Sequence, residues 1–517
     1  MPRPVSLFSV SPAAQSQPRL AGQPTQWALH LGFGVIFAAI SLVNHYNFRT
    51  YALDLGMASH ALRELSQLRA PLTTLLTDSA PTSFFSAHFT LIPVLVAPLY
   101  WLFGSWTLLL VQLGAILLGG RGVWVFARGQ GAPLPEANLI LAYFYSIWGI
   151  YSALSFDYHD NVVGAMMLPW LLHWFRERRW AGVALTYGLL LISKENMALL
   201  AAAVALGAAW QYRRQRQLVL VALLGALGAV VYFGLVTKWL MPALDYAHRP
   251  FQQLIRYQHL GTSLPAIAGQ LVLHPQQLVQ SLLVNITGDP AYDYIKLEMW
   301  GVLLLSGGVA LVWRPWYLLM LVPVLAQKLL ANDYGLWGIN GQYSIEFAPL
   351  LALAVAETSR QRPPATRRRY LVITLVLAAL TTIGTLYGRQ SKWYNRENTN
   401  FLSRRHYRSP LNVAALHTAL ARIPAEAALS AQSNLAPWLT DRSKLYHFPV
   451  LRDARYIALL RHPTKETSWP LSVEEQMQQL ARLRTRPTIR VVYEDAQFIL
   501  LERTTIQAAD EVPLPRK

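Results

Sequence analysis

Three short polar stretches interrupt an otherwise apolar chain, and each gathers side chains that can move a proton or hold a phosphate. The first is Tyr51-Ala-Leu-Asp54-Leu-Gly56. A carboxylate at Asp54 can take a proton from an attacking hydroxyl or hold a divalent metal. Standing before an apolar-periodic run, it fits a helix N-cap equally well. The second is Ser155-Phe-Asp157-Tyr-His159-Asp160. Asp157 and His159, two apart, can form a general-base pair or ligate a metal. The alternative is a solvated interhelical turn in which Asp160 caps the next helix. The third is Ser193-Lys194-Glu195-Asn196, inside an apolar run over 181–211. Ionisable groups at membrane depth are costly, so they face a polar cavity, where Lys194 can neutralise a phosphate. The alternative is a tight turn, with Ser193 capping the following helix and Glu195 favoured by its dipole.

Softer candidates surround these. His88, Asp245, His248, Arg249, Arg256 and His259 can line the same chamber, where a basic group stabilises a departing phosphate; otherwise they anchor at headgroup level. Tyr343 and Glu346 open an apolar helix, facing either the cavity or the field of the helix N-terminus. No HExxH or comparable pattern marks a metal site.

The elements that must position these groups are membrane helices. Of 517 residues, 53% are hydrophobic and only 14% charged, about half the charged share of a soluble protein. Several apolar runs reach the roughly 20 residues that cross a bilayer. The net charge of +18 falls in short clusters between apolar runs, as the positive-inside rule places it. It is not the basic face of a nucleic-acid binder, so no nucleic acid is expected as a partner. Cysteine is absent, which excludes disulfides and catalytic thiols.

Residues 1–26, rich in Pro, Ser and Gln, read as a disordered cytoplasmic N-terminus carrying Arg3 and Arg19. The apolar run that follows lacks a small-residue cleavage site and reads as a retained anchor. Charge bias then sets eleven spans, at about 27–45, 105–127, 137–154, 161–175, 181–193, 196–211, 218–241, 299–313, 316–331, 343–357 and 370–388. Segment 88–104, broken by Pro93 and Pro98, is expected to be re-entrant or interfacial. The transmembrane domain is thus 27–388, with a first external loop at 46–104 and an external segment at 242–298. Leu55, Ala58, Leu62 and Leu65 recur at helical spacing, which predicts a helix along the membrane surface. The tail, 389–517, reads as an extracytoplasmic α/β domain. Its strands are expected at 427–431, 444–448, 456–460, 489–493 and 497–501, and a helix at 473–484.

The order of motifs carries a resemblance. Tyr-x-x-Asp54-Leu-Gly is followed by His88-Phe with Pro93, Pro98 and Leu-Phe-Gly104. Phe156-Asp-Tyr-His159, Lys194-Glu195 and Tyr343-Ser-Ile-Glu-Phe-Ala-Pro349 come next. Asn434-Leu-Ala-Pro-Trp-Leu-Thr-Asp-Arg442 and Leu445-Tyr-His-Phe-Pro449 complete the series. From about residue 30 to 460 this resembles the bacterial multipass "domain of unknown function" family numbered 2079. That family is similar in layout to the GT-C superfamily of membrane glycosyltransferases, which use sugars carried on polyprenyl phosphate. The resemblance implies that Asp54 corresponds to the first-loop acid of those enzymes. Many of them carry paired acids there, whereas Leu55-Gly56 follows here, which departs from direct metal binding by that loop.

The expectation is therefore an integral membrane glycosyltransferase at the outer face of the bacterial cytoplasmic membrane, with the bilayer, a polyprenyl-phosphate sugar and an acceptor as partners. Asp54 would act as the general base or position the acceptor hydroxyl. Asp157 and His159 would complete the acceptor site or hold a divalent cation, Mg2+ or Mn2+. Lys194 and Arg249 would hold the lipid phosphate, and His88, Asp160, Glu195, Tyr343 and Glu346 would line the substrate. Two other classes stand beside it. A transporter or flippase for a lipid-linked or anionic solute needs polar groups at the midplane and often internal repeats; here the ionisable groups cluster at one end of the spans and no repeat is visible. A non-catalytic envelope assembly protein would work through the tail.

Overall fold

The computed structural model describes residues 24–76, 82–246, 252–390 and 395–507. Arg3, Arg19, His248, Arg249 and Lys392 lie outside these. The chain is a largely helical membrane protein with a small C-terminal sheet. Among the described residues, four helices are long and apolar enough to cross a membrane: Pro24–Tyr46, Ile92–Gly129, Arg216–Leu244 and Pro364–Tyr387. The pair Leu134–Tyr145 and Trp148–Leu154, bent by 45°, makes a fifth. The remaining expected spans form shorter or broken helices. Trp180–Ser193, Met197–Gln211, Pro315–Leu329 and Phe347–Arg360 are single pieces. The 161–175 run divides into Asp160–Ala165 and Leu168–Arg176. The 299–313 run breaks at Gly307, where φ is +99°. A 15-residue helix reaches about 22 Å, less than a hydrocarbon core of about 30 Å. Polar residues at the ends of several of these pieces line a common cavity.

Segment 88–104 has its own geometry. Ile92–Phe103 spans about 18 Å, too short to cross a bilayer alone. Gly104 (φ +52°, ψ −131°) turns the chain into Thr107–Gly129, a conformation that side chains forbid. Trp101, Leu102 and Leu95 are exposed along it.

The tail holds the five-stranded sheet. Strand β1 (Leu72–Thr73) pairs antiparallel with β2 (Thr82–Ser83) in the first loop. The tail sheet comprises β3 (Leu429–Ala431), β4 (Leu445–His447), β5 (Tyr456–Leu460), β6 (Ile489–Glu494) and β7 (Phe498–Arg503), in the order β4-β3-β5-β7-β6. β3 runs parallel to both β4 and β5, whereas β7 runs antiparallel to β5 and β6. The helix Val473–Arg484 starts at a capping box formed by Ser472 and Glu475. Strand alternation divides the sheet's apolar residues between two cores. Ile457 and Leu459 face the Val473–Arg484 helix with Leu480 and Leu483. Ala458 and Leu460 belong to the core shared with the membrane helices.

The tail is thus continuous with the membrane domain, and its motif 434–442 explains how. Trp438 stacks on His45, centroids 4.2 Å apart, and tilts against Phe48. Pro437 abuts Gly56. His60 Nε2 lies 2.9 Å from the Arg442 carbonyl. The buried Arg49 donates to the carbonyls of His406 (2.7 Å), Arg408 (2.6 Å) and Glu397 (3.1 Å). Arg49→Ala leaves these carbonyls unpaired and is expected to cost about 3 kcal/mol. A lower thermal midpoint and faster tryptic cleavage within 395–408 would report it.

This docking adds to one expectation. The helix that the stripe predicts is Met57–Ser66, and its polar face is not open to solvent. Leu55, Ala58 and Leu62 are buried as the stripe requires, but so are His60, Arg63 and Glu64 on the polar face. That face is covered by the tail, where Arg63 reaches Asp441 at 3.4 Å.

Candidate functional site

The site begins with the local fold around Asp54. Ala52–Gly56 forms a π-helical turn leading into Met57–Ser66; such turns recur at functional sites. The residue preceding it, Tyr51, provides no side-chain cap, and neither does Asp54. The free N–H groups are satisfied by Asp157, whose Oδ2 accepts from Tyr51 N–H at 2.8 Å and Leu55 N–H at 3.4 Å. The capping role open to Asp54 is therefore filled from another loop, and Asp54 is left free to turn to His159, whose Nε2 stands 3.2 Å from its Oδ1. The pairing expected between Asp157 and His159 is not formed. Their side chains diverge because Asp157 adopts a positive φ of +44°. Gln112 locks that turn, its Nε2 donating to the Asp157 carbonyl (3.0 Å) and its Oε1 accepting from His159 N–H (2.9 Å).

The two carboxyls are driven apart in charge. Burial opposes the Asp54 anion, but the hydrogen bond and charge of His159 outweigh it, with help from Lys194 and His88, and hold Asp54 below the usual carboxylate range. Burial and the nearby Asp54 charge push Asp157 well above that range, against the pull of the Tyr51 and Leu55 N–H groups. Neighbouring acids separated in this way take different roles. Asp54 is the ionised acid at the front, and Asp157 supports it from behind.

The second wall comes from the corner 193–196. Lys194 is extended (φ −168°, ψ 150°) and ends the Trp180–Ser193 helix. Ser193 donates to the Leu190 carbonyl at 2.7 Å instead of capping the next helix. Glu195 is buried and receives Phe89 N–H at 3.0 Å and the His88 ring at 3.1 Å. Burial raises this carboxyl, but His88 and Lys194 outweigh it and hold it below its ordinary value. Lys194 itself makes no hydrogen bond or ion pair among the described residues. Its charge is nevertheless felt at Asp54, Asp160, Glu195 and Glu346.

These groups share one cavity of about 350 Å³. Asp54, His88, His159, Asp160, Lys194, Glu195, Tyr343 and Glu346 all line it. Asp157 stands behind the wall, and Arg249 lies outside the described residues. Asp160 starts its helix without capping it and receives Tyr158 OH at 2.7 Å. Glu346 receives Asn161 Nδ2 at 2.7 Å. Leu199, Leu200, Phe233, Pro323 and Val324 add apolar lining to the same cavity.

The sequence reading missed several contributors. Gln112, Asn161 and Gln342 gave no motif. Lys328 lines the cavity from within an apolar helix, its Nζ held by the Gly338 carbonyl (2.8 Å) and Ser344 Oγ (3.2 Å). Lys296 is buried against the Trp337 ring, 4.0 Å from its centroid, and donates to the carbonyls of Ser281 and Leu329. Together they pin the loop that delivers Tyr343 and Glu346. The signal available for both Lys328 and Gln112 was a polar residue inside an apolar run. Among the described residues no three His, Asp or Glu side chains gather as a metal site.

A family model described as "Predicted membrane protein (DUF2079)" matches residues 44–492. The chain belongs to this family. The DUF2079 match covers the first loop, the cavity walls and most of the tail, as the motif order implied. The comparison with curated proteins finds no match. Among solved structures, this DUF2079 chain is similar to the crystal structure of ArnT from Cupriavidus metallidurans bound to undecaprenyl phosphate. That likeness has a TM-score of 0.49 and 12% identity, over 95% of this chain and 100% of that one.

Proposed function

We propose that this chain is an integral membrane glycosyltransferase that moves a sugar from a polyprenyl-phosphate donor to an acceptor hydroxyl at the outer face of the bacterial cytoplasmic membrane. In this reading the chain has eleven spans in a GT-C-like layout, with an extracytoplasmic tail. The observation that carries it is the mixed lining of one cavity: the ionisable groups Asp54, His159, Lys194 and Glu195 share it with the apolar Leu199, Leu200, Phe233 and Val324. Such a cavity suits an amphiphile with an anionic head and a hydrocarbon chain. Transfer at an anomeric carbon builds positive charge on the sugar and negative charge on the leaving phosphate, which an ionised acid and a lysine lining one cavity complement. Asp54 accepts the acceptor's proton, and Lys194 neutralises the phosphate.

The transporter reading requires passage to the far end of the bundle. There Glu357 receives Gln211 (2.7 Å) and Tyr317 OH (3.0 Å), and Arg314 donates to its carbonyl (2.9 Å). Glu136 pairs with Arg360 at 3.0 Å nearby. These pairings bind the helices together at that end, which favours chemistry over passage. The test is incorporation of label from a polyprenyl-phosphate sugar in membranes containing the protein. Lys194→Gln is expected to raise the donor KM by about tenfold or more, since a charge-assisted phosphate contact is lost. Movement of unchanged lipid between leaflets, with no covalent product, would overturn the enzyme reading.

A further inference from the structure

The cavity holds two imidazole–carboxylate pairs, and they are mounted in opposite senses. In one, His159 is the hidden member, 7% exposed at its side chain, and Asp54 is the open one at 33%. In the other, Glu195 is hidden at 3% and His88 open at 34%. Each hidden group is fixed from behind. His159 is held through its backbone by Gln112, and Glu195 through its second oxygen by Phe89 N–H. The segment carrying His88 is stitched down as well, with Leu91 N–H donating to the Ile192 carbonyl at 2.8 Å.

In a hydrogen-bonded pair of this kind, the open member meets the substrate and the hidden one sets its orientation. An open carboxylate can accept a proton. An imidazole whose Nδ1 faces a buried carboxylate turns Nε2 outward, where in its imidazolium form it donates a proton. His88 Nε2 has no hydrogen-bond partner among the described residues, while its Nδ1 is 3.1 Å from Glu195 Oε1. The two pairs are thus a proton acceptor and a proton donor facing one space.

Position tells which serves which end of a lipid-linked donor. Lys194 and Glu195 lead directly into the Met197–Gln211 helix, whose Leu199 and Leu200 add apolar lining to the cavity. A phosphate at the head of a hydrocarbon chain lying on those leucines reaches the Lys194 corner first. Asp54 belongs to the other pair, with His159, in the turn that leads into Met57–Ser66.

We infer that the two pairs divide the reaction between its ends: Asp54, oriented by His159, serves the acceptor hydroxyl, and His88, oriented by Glu195 and flanked by Lys194, serves the departing phosphate. This rests on the glycosyltransferase reading. The acceptor oxygen bonds to the anomeric carbon as the bond from that carbon to the phosphate oxygen breaks. The electron pair of the broken bond stays on the phosphate. The acceptor's proton goes to Asp54, and the phosphate receives the Nε2 proton of His88. The products are the glycoside, the polyprenyl phosphate monoanion, a protonated Asp54 and a neutral His88. One proton passed through water from Asp54 to His88 restores both. His88 is then a catalytic residue, and Glu195 a positioning residue.

The test uses the full chain in nanodiscs, with a polyprenyl monophosphate and the matching polyprenol as probes. The wild type should bind the monophosphate at least about tenfold more tightly than the alcohol. His88→Gln and Glu195→Gln should each lower monophosphate affinity by about tenfold while leaving the alcohol unchanged, a selective loss that a structural defect would not give. His88 is partly exposed, so His88→Gln tests the idea even if Glu195→Gln does not fold. Asp54→Asn should keep the monophosphate affinity within about twofold. Full phosphate preference in His88→Gln would overturn the division of labour, as would an equal loss in Asp54→Asn. A wild type that does not prefer the phosphate would overturn the glycosyltransferase reading itself.

Discussion

Asp54→Asn is expected to lower sugar transfer from a labelled polyprenyl-phosphate donor by roughly 10²–10⁴-fold, the contribution of a positioned general base. The amide keeps the size of the side chain and can still meet His159, but it cannot take a proton. The fold should be untouched, because Asp54 caps no backbone group and the N–H groups of its turn belong to Asp157. The expected signature is a collapse in turnover with the thermal midpoint and donor affinity close to wild type. Turnover measured in membranes alongside a melting curve of the purified protein checks it. Unchanged transfer would remove Asp54 from the mechanism.

Asp157→Ala should fail differently. It strips the acceptor from Tyr51 N–H and Leu55 N–H, and an orphaned buried donor costs about 1–3 kcal/mol. The loss should reach about 2–4 kcal/mol for the two together. The turn that aims Asp54 would loosen, so activity should fall with stability. Asp157→Asn retains an oxygen that can accept from both N–H groups and should recover most of both losses. A thermal melt and a transfer assay across the three proteins separate the roles. Equal damage from Ala and Asn at position 157 would contradict the capping account, because it would mean that the charge matters and not the acceptor.

Much of the architecture was legible because its signals are local. Val473–Arg484 announces itself through Ser472 and Glu475 at its start and arginines at its end, and β5 through the short apolar run Tyr456-Ile-Ala-Leu-Leu460, which is buried almost throughout. The polar interruptions at 54, 157–160 and 194–195 were readable as a shared site because an apolar chain makes each ionisable group conspicuous. What stayed hidden depends on contacts between distant segments. Nothing near Asp157 reveals that its carboxylate serves the N–H groups at 51 and 55. The helix from Met57 to Ser66 looks like a surface helix until the tail is seen covering its polar face. The broken spans at 166–167 and 307 were hidden as well, since hydropathy reports how apolar a run is, not where it bends. Lys328 was passed over as a charge in a span, although its partners, Gly338 and Ser344, show that it holds the loop bearing Tyr343 and Glu346.

The meeting of Gly56 with the tail has a further consequence. A Cβ at position 56 would stand 3.3 Å from the Tyr51 carbonyl oxygen and 3.6 Å from Pro437. The neighbouring Leu55 is fully buried. A side chain at 56 must therefore press on the Tyr51 carbonyl while its further atoms meet Pro437, and a carboxylate at 55 would be buried with its charge unpaired. The seated tail thus works against a second acid directly after Asp54. The docking that holds the tail also narrows what the catalytic turn can be made of.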